Sequence, residues 1–139
     1  MLLKSNREAV NKSDDVVDFV RKWFDDQPEY ERNKEHFWVI GVSCRNRIRY
    51  FDLCHIGGVQ ESVVDPRNVF RIAIMQNATA VVLVHNHPSG NPNPSNEDKM
   101  VTDRLCKAGR YLQIKVIDHI ILGDPEMNYF SFADEGILT

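Results

Sequence analysis

The chain has 139 residues, 42% hydrophobic and 27% charged, with 17 basic against 20 acidic residues and a formal net charge of −3. That length and apolar share fit one compact domain with a real core and exclude an intrinsically disordered body. The acidic balance makes nucleic acid a poor default partner, because surfaces built on phosphate contacts are ordinarily basic; the local run Arg45, Arg47, Arg49 reads as the solvated face of a strand or turn.

Cys44, Cys54 and Cys106 are odd in number and form no CxxC pair, which suits a reducing cytosol better than a disulfide-stapled secreted domain. The first residues, MLLKSNREAVNKSDD, lack the apolar core and cleavage pattern of a signal peptide. Apolar runs reach only about five residues, far short of the roughly 20 that span a bilayer. The expectation is a soluble cytoplasmic protein with no membrane contact.

Residues 1–12 read as a polar tail ahead of a domain over 13–139. Ser13 is placed as an N-cap, with Asp14 and Asp15 in a first turn where the helix dipole favours acids. Val16, Phe19, Val20, Trp23 and Phe24 recur at helical spacing and predict an amphipathic helix over roughly 14–26, ended by Gln27-Pro28. FWVIGVS (37–43) and IRYFDL (48–53) predict two strands, joined by Cys44-Arg45-Asn46-Arg47 into an antiparallel hairpin. Gly57-Gly58 breaks the second, and Gln60 to Val64 reads as a short extended piece. Asp65-Pro66 is an N-cap followed by proline at the first helical position, and the helix from 66 to about 76 carries apolar residues nearly all round, so it is expected to be well buried.

Thr79 to Val84, a short non-alternating β-branched run, predicts a central strand covered on both faces. A proline-rich loop leads to Ser95, which opens a helix that Gly109 is expected to stop in left-handed geometry. Ile114 to Leu122 predicts another strand, Asp124-Pro125 a turn, and Asn128 to Phe132 a short edge strand. This order of elements predicts an α/β sandwich: a single domain whose central mixed β-sheet is flanked by helices.

The chemistry concentrates in HNHPSGNPNPSNED (85–98), whose skeleton is His-x-His, seven residues, Ser, two residues, Asp. Two imidazoles, a carboxylate and a nearby hydroxyl are what an open zinc site needs. Side chains alternate along a strand, so His85 and His87 share a face at the strand's carboxyl end, where α/β folds place ligands. Asp98 falls on the first turn of the next helix, within reach of the imidazoles. Three protein ligands leave one position for a water, whose pKa zinc lowers toward ~7. Ser95-x-x-Asp98 is also a capping box, and capping alone would account for those two residues. The two uses are compatible, since a capped helix start would hold Asp98 rigidly.

His-x-His-Pro-x-Gly followed by Pro-Ser-x-x-Asp resembles the signature of the JAMM metalloprotease domain, also called MPN or JAB. HNHPSG, with ATAVVLVHNH before it and VIDHIILG after the helix, resembles the RadC-like bacterial branch in particular, over about 13–139. The resemblance implies a cytidine-deaminase-like α/β fold and a zinc ion held by His85, His87 and Asp98. It further implies Ser95 steadying the oxyanion as water attacks a peptide or isopeptide carbonyl, with a peptide or protein as the substrate. An upstream glutamate is also required as general base. Glu35 sits where the branch has its glutamate, just ahead of the first hairpin strand; Glu29, Glu31 and Glu61 compete, and spacing alone does not separate the four. The branch usually carries an upstream helix-hairpin-helix segment, which is absent from these residues, so a DNA-associated role finds no support.

Other residues carry competing readings. His36 neighbours Glu35 on the opposite strand face and is expected at the surface or rim. Cys54-His55 are adjacent and do not face each other as a nucleophilic pair would. Of Asp118 and His119, one is expected to face inward in a structural hydrogen bond. Cys106 reads as a small core residue, and Asn86 as a brace for the loop. Zinc deaminases need His-x-Glu and Pro-Cys-x-x-Cys, and neither occurs. A catalytically silent scaffold of the same fold would be marked by a lost ligand; all three candidates are intact, which favours the enzyme.

Overall fold

A computed structural model of the chain describes residues 2–3, 8–58, 64–125 and 128–138. Six strands form one sheet: β1 (Leu2–Leu3), β2 (His36–Val42), β3 (Ile48–Ile56), β4 (Ala80–Asn86), β5 (Lys115–Leu122) and β6 (Tyr129–Ser131), in the order β1-β3-β2-β4-β5-β6. Four helices accompany them: α1 (Ser13–Phe24), α2 (Glu29–Arg32), α3 (Pro66–Met75) and α4 (Asn96–Leu112). β4 and β5 pair in parallel across the α4 crossover, and every other pairing is antiparallel. The mixed sheet and flanking helices are those the order of elements predicts.

Alternation along β2 and β4 sorts the core into two layers. Phe37, Val39, Val81 and Leu83 pack with Val69 and Phe70 of α3 and Leu105 of α4. Trp38, Ile40, Val82 and Val84 point the other way and pack with Val16, Val20 and Phe24 of α1. β2 is buried along its whole length, and β4 throughout except at Ala80, as expected of central strands covered on both faces. Arg45, Arg47 and Arg49 are exposed around the hairpin turn, a solvated face as read from the sequence. Among the described residues no helix is long and apolar enough to cross a membrane.

Several local expectations change. Part of the stretch read as a polar tail joins the sheet: Leu2 and Leu3 pair with Asp52 and Phe51, Ala9 bridges Arg47, and Val10 is buried beside α1. Strand pairing at an edge uses main-chain groups and needs no apolar pattern. Ser13 is the first helical residue, with Lys12 at the cap position. The Asp15 carboxylate takes the N–H groups of Asn11 and Lys12, at 2.8 and 3.1 Å. The Ser13 hydroxyl turns instead to Tyr129 and Asp134. Asp65 does cap α3, accepting from the Asn68 N–H at 2.9 Å. That helix is one-sided, however: Val69, Phe70 and Ala73 are buried while Ile74 is 59% and Met75 72% exposed. Of the extended piece expected from Gln60 to Val64, positions 60–63 lie outside the described residues.

Gly109 does not end α4. The helix runs on to Leu112 and Gln113 adopts the left-handed C-cap at φ 57°. Gly109 serves close approach instead, because a Cβ there would lie 2.4 Å from the Ile114 carbonyl oxygen and 3.2 Å from Phe70 Cζ. Alanine gains about 1 kcal/mol in helix propensity, but overpacking against main chain costs about 1–3 kcal/mol or more. Gly109→Ala is therefore expected to lower the urea midpoint of unfolding; an unchanged or raised midpoint would show that the helix can shift away from the Ile114 main chain.

Candidate metal centre

β4 extends past the apolar run to include His85 and Asn86. His85 lies between Phe37 of β2 and Ile121 of β5 and is fully buried. His87 follows the last strand residue, with its N–H donating to the Leu122 carbonyl at 2.9 Å, so the extended register is kept one residue further. The chain then turns: the Gly90 N–H donates to the His87 carbonyl, and Gly90 holds φ 88° with the Asp124 carboxylate where a Cβ would point. Only glycine suits that position. The turn brings the Asn91 carbonyl to 2.8 Å from His87 Nδ1.

Ser95 caps α4 reciprocally. Its Oγ accepts from the Asp98 N–H at 3.0 Å, and Asp98 Oδ2 accepts from the Ser95 N–H at 2.8 Å. The same carboxylate reaches the imidazoles, with Oδ1 3.2 Å from His85 Nε2 and Oδ2 3.1 Å from His87 Nε2, and the two Nε2 atoms are 3.1 Å apart. Glu35 Oε1 stands 3.8 Å from His85 Nε2. One ligand atom from each of Glu35, His85, His87 and Asp98 lies within 4.8 Å of all the others. The group opens into a cleft of about 340 Å³ whose walls include Glu35, His87, Ser95, Glu97 and Asp98.

This donor set fits a cation. The Asn91 carbonyl can only accept, so His87 carries its proton on Nδ1 and, when neutral, presents a bare Nε2 to the cluster. Metal–ligand bonds of about 2.0–2.1 Å in tetrahedral geometry separate neighbouring ligands by roughly 3.3 Å, close to the spacings seen between the His85, His87 and Asp98 atoms. Burial alone would raise the Asp98 carboxyl, but the two imidazoles against it, in their protonated form, hold it far below the usual carboxylate range. His87 is raised, mainly by its contact with Asp98. A buried ionised carboxylate beside two imidazoles is a set of ligands able to hold a metal ion.

Of the four glutamates, Glu35 alone joins this group among the described residues. Glu31 of α2 pairs with Lys34, beyond the helix end, at 2.9 Å, Glu29 is exposed in the first turn of that helix, and Glu61 lies outside the described residues. Glu35 is held by main-chain contacts on both sides. Its carbonyl accepts from the Gly57 N–H at 2.8 Å, the His36 N–H donates to Asn86 Oδ1 at 2.7 Å, and Asn86 Nδ2 donates to the Lys34 carbonyl at 3.0 Å. Asn86 thus braces the glutamate's segment, a wider role than bracing its own loop.

His36 does face away from Glu35, but it is 2% exposed rather than at the surface. It stacks on Trp38 at 5.3 Å and 10° and is covered by Phe24 of α1, which strand alternation could not foretell. Asp118 and His119 are both buried, where one was expected inward, because helices and loops cover β5 on both sides. Asp118 accepts from Ser131 Oγ at 2.6 Å and the Ala133 N–H at 3.0 Å, and burial raises its carboxyl. His119 lies 2.8 Å from His85 Nδ1, and burial holds its imidazole well below the ordinary value. The sequence reading missed that contact, which only the register discloses: His119 pairs with Leu83 across β4 and β5, two residues before His85 on the same face. Burial pushes the Cys54 thiol up to about 11, unlike an activated nucleophile.

Residues 10–137 match the RadC-like JAB domain family. A UPF0758 protein of Caldanaerobacter subterraneus is 46% identical over 106 residues, 72% of this chain and 46% of its own length. One from Methanosarcina mazei is 44% identical over 108 residues, covering 78% of this chain and 46% of its own. One from Chlorobaculum parvum is 37% identical over 135 residues, 97% of this chain and 58% of its own. The chain spans about half the length of the curated relatives it matches. With a match running nearly end to end over a mixed sheet of the expected kind, the chain belongs to the RadC-like JAB domain family.

Proposed function

We propose that the protein is a zinc-dependent hydrolase of peptide or isopeptide bonds acting on a peptide or protein substrate. The convergence of His85, His87 and Asp98 with Glu35 beside them in an open cleft carries this reading. Bound zinc supplies a Lewis acid and a water of lowered pKa. Glu35, partly exposed and 3.8 Å from His85 Nε2, accepts a proton from the attacking water and returns it to the leaving nitrogen. The Ser95 hydroxyl lone pairs serve the Asp98 N–H, which leaves its own proton to donate to an oxyanion in the cleft. The intact donor set favours this over a silent scaffold of the same fold. An odd number of cysteines with no CxxC pair suits a reducing compartment, so we place the protein in the cytoplasm.

The test is zinc quantification on purified full chain, paired with hydrolysis of peptide and isopeptide-linked libraries before and after chelation. One zinc per chain and cleavage that chelation stops and added zinc restores are expected. A protein that takes up no zinc, or cleavage indifferent to chelation, would overturn the reading.

A further inference from the structure

His119 is a buried imidazole that the proposed reaction leaves unused, and its hydrogen bonds run in one direction only. The main-chain carbonyl of Asp98 can only accept, so the Thr102 hydroxyl commits its one proton there, at 2.6 Å. Thr102 Oγ1 can then meet His119 Nδ1, 2.5 Å away, only as acceptor, which puts the His119 proton on Nδ1. The other nitrogen of a neutral His119 is bare and lies 2.8 Å from His85 Nδ1. A hydrogen bond between those two nitrogens requires the His85 proton on Nδ1. In the neutral ring His85 Nε2 is left as a lone pair facing His87 and Asp98.

We propose that Thr102 and His119 are positioning residues that lock His85 into the one tautomer able to bind metal, by a relay running from the Asp98 carbonyl through Thr102 and His119 to the His85 ring. The inference rests on the metal-binding reading above. Its setting is rigid and dry. Thr102 is buried and His119 fully so, stacked on Phe132 at 4.9 Å and 12° with Phe37 against its other side at 5.8 Å and 69°. The His119 ring is enclosed between two phenylalanines and has no solvent-facing edge. His87 solves the same problem with the Asn91 carbonyl at the surface; His85, too deep for a loop, uses a second side chain. The relay also begins and ends on two of the three ligand residues, tying the first turn of α4 to β4 through β5.

The tautomers are read by long-range proton–nitrogen correlation on metal-free, nitrogen-15-labelled full chain, and zinc affinity by competition with a chromophoric chelator. His85 and His119 are both expected to carry their proton on Nδ1. Thr102→Val removes the acceptor for His119 Nδ1–H at nearly constant volume. It is expected to move the proton on both rings and weaken zinc by about 10–100-fold, the usual cost of losing a ligand's outer partner. His119→Leu should lose a similar factor, whereas His119→Gln, whose amide can accept from His85 and donate to Thr102, should return to within a few-fold of the parent. Should the leucine variant fail to fold, the valine and glutamine variants carry the test. A His85 proton on Nε2 in the parent, or Thr102→Val with unchanged tautomers and unchanged zinc affinity, would overturn the lock. A parent that binds no zinc would overturn the metal reading instead, and the tautomers of the metal-free protein would still decide the lock.

Discussion

Glu35→Gln is expected to hold zinc as tightly as the parent while losing about 10²–10⁴-fold in turnover, the range that a positioned general base supplies. Glutamine has the same shape, and the segment's anchors are indifferent to the change. They are the Glu35 carbonyl with the Gly57 N–H, the His36 N–H with Asn86, and the Lys34 carbonyl with Asn86, all made outside the Glu35 carboxylate. The carboxylate also stands back from the other three donors. It is 3.8 Å from His85 Nε2, against 3.1–3.2 Å for the contacts among His85, His87 and Asp98. On the proposed reading that spacing suits a base better than a fourth ligand. Turnover and zinc content measured on one preparation give the answer: unchanged turnover removes Glu35 from the reaction, and loss of zinc makes it a fourth ligand. Glu31→Gln, on the pair with Lys34, should leave both quantities where they were.

The site divides into a part that sequence discloses and a part that only pairing discloses. His85, His87, Ser95 and Asp98 lie within one strand end, one loop and one helix start, so alternation and capping rules already put them together. Glu35 lies fifty residues upstream of His85 and reaches it only because β2 pairs with β4 so that Phe37 sits opposite His85. No spacing rule contains that register, which is why four glutamates stood equal until a family resemblance chose among them. His119 is hidden in the same way behind the parallel register of β4 and β5. The fold itself was more legible, because burial on both faces of β2 and β4 leaves an unbroken apolar run. Errors gathered where a residue type has two uses. Gly109 admits the Ile114 main chain and Phe70 where a cap was expected, and Ile74 and Met75 are apolar yet face outward from α3.

On the proposed reading Asp98 has two uses at once, cap and ligand, and substitutions separate them. Asp98→Asn keeps an oxygen for the Ser95 N–H and so keeps the capping box, but loses the anionic ligand. Zinc is expected to weaken by more than the roughly 10–100-fold that an outer partner costs, with the first turn of α4 intact. Asp98→Ala loses zinc and the Ser95 contact together. The metal-free protein adds a pH signature. Asp98 is depressed in the folded state, so its contribution to stability is present above the unfolded value of about 4 and fades as pH falls below it. His87 is raised, so its contribution is present below about 6.5 and fades as pH climbs through the raised value. Zinc requires both groups deprotonated, which reverses the upper edge: the rise in melting temperature on adding zinc should grow from pH 6 to pH 8 in the parent and stay near zero in Asp98→Asn. A zinc shift independent of pH, or equal in the two proteins, would show that zinc binds elsewhere.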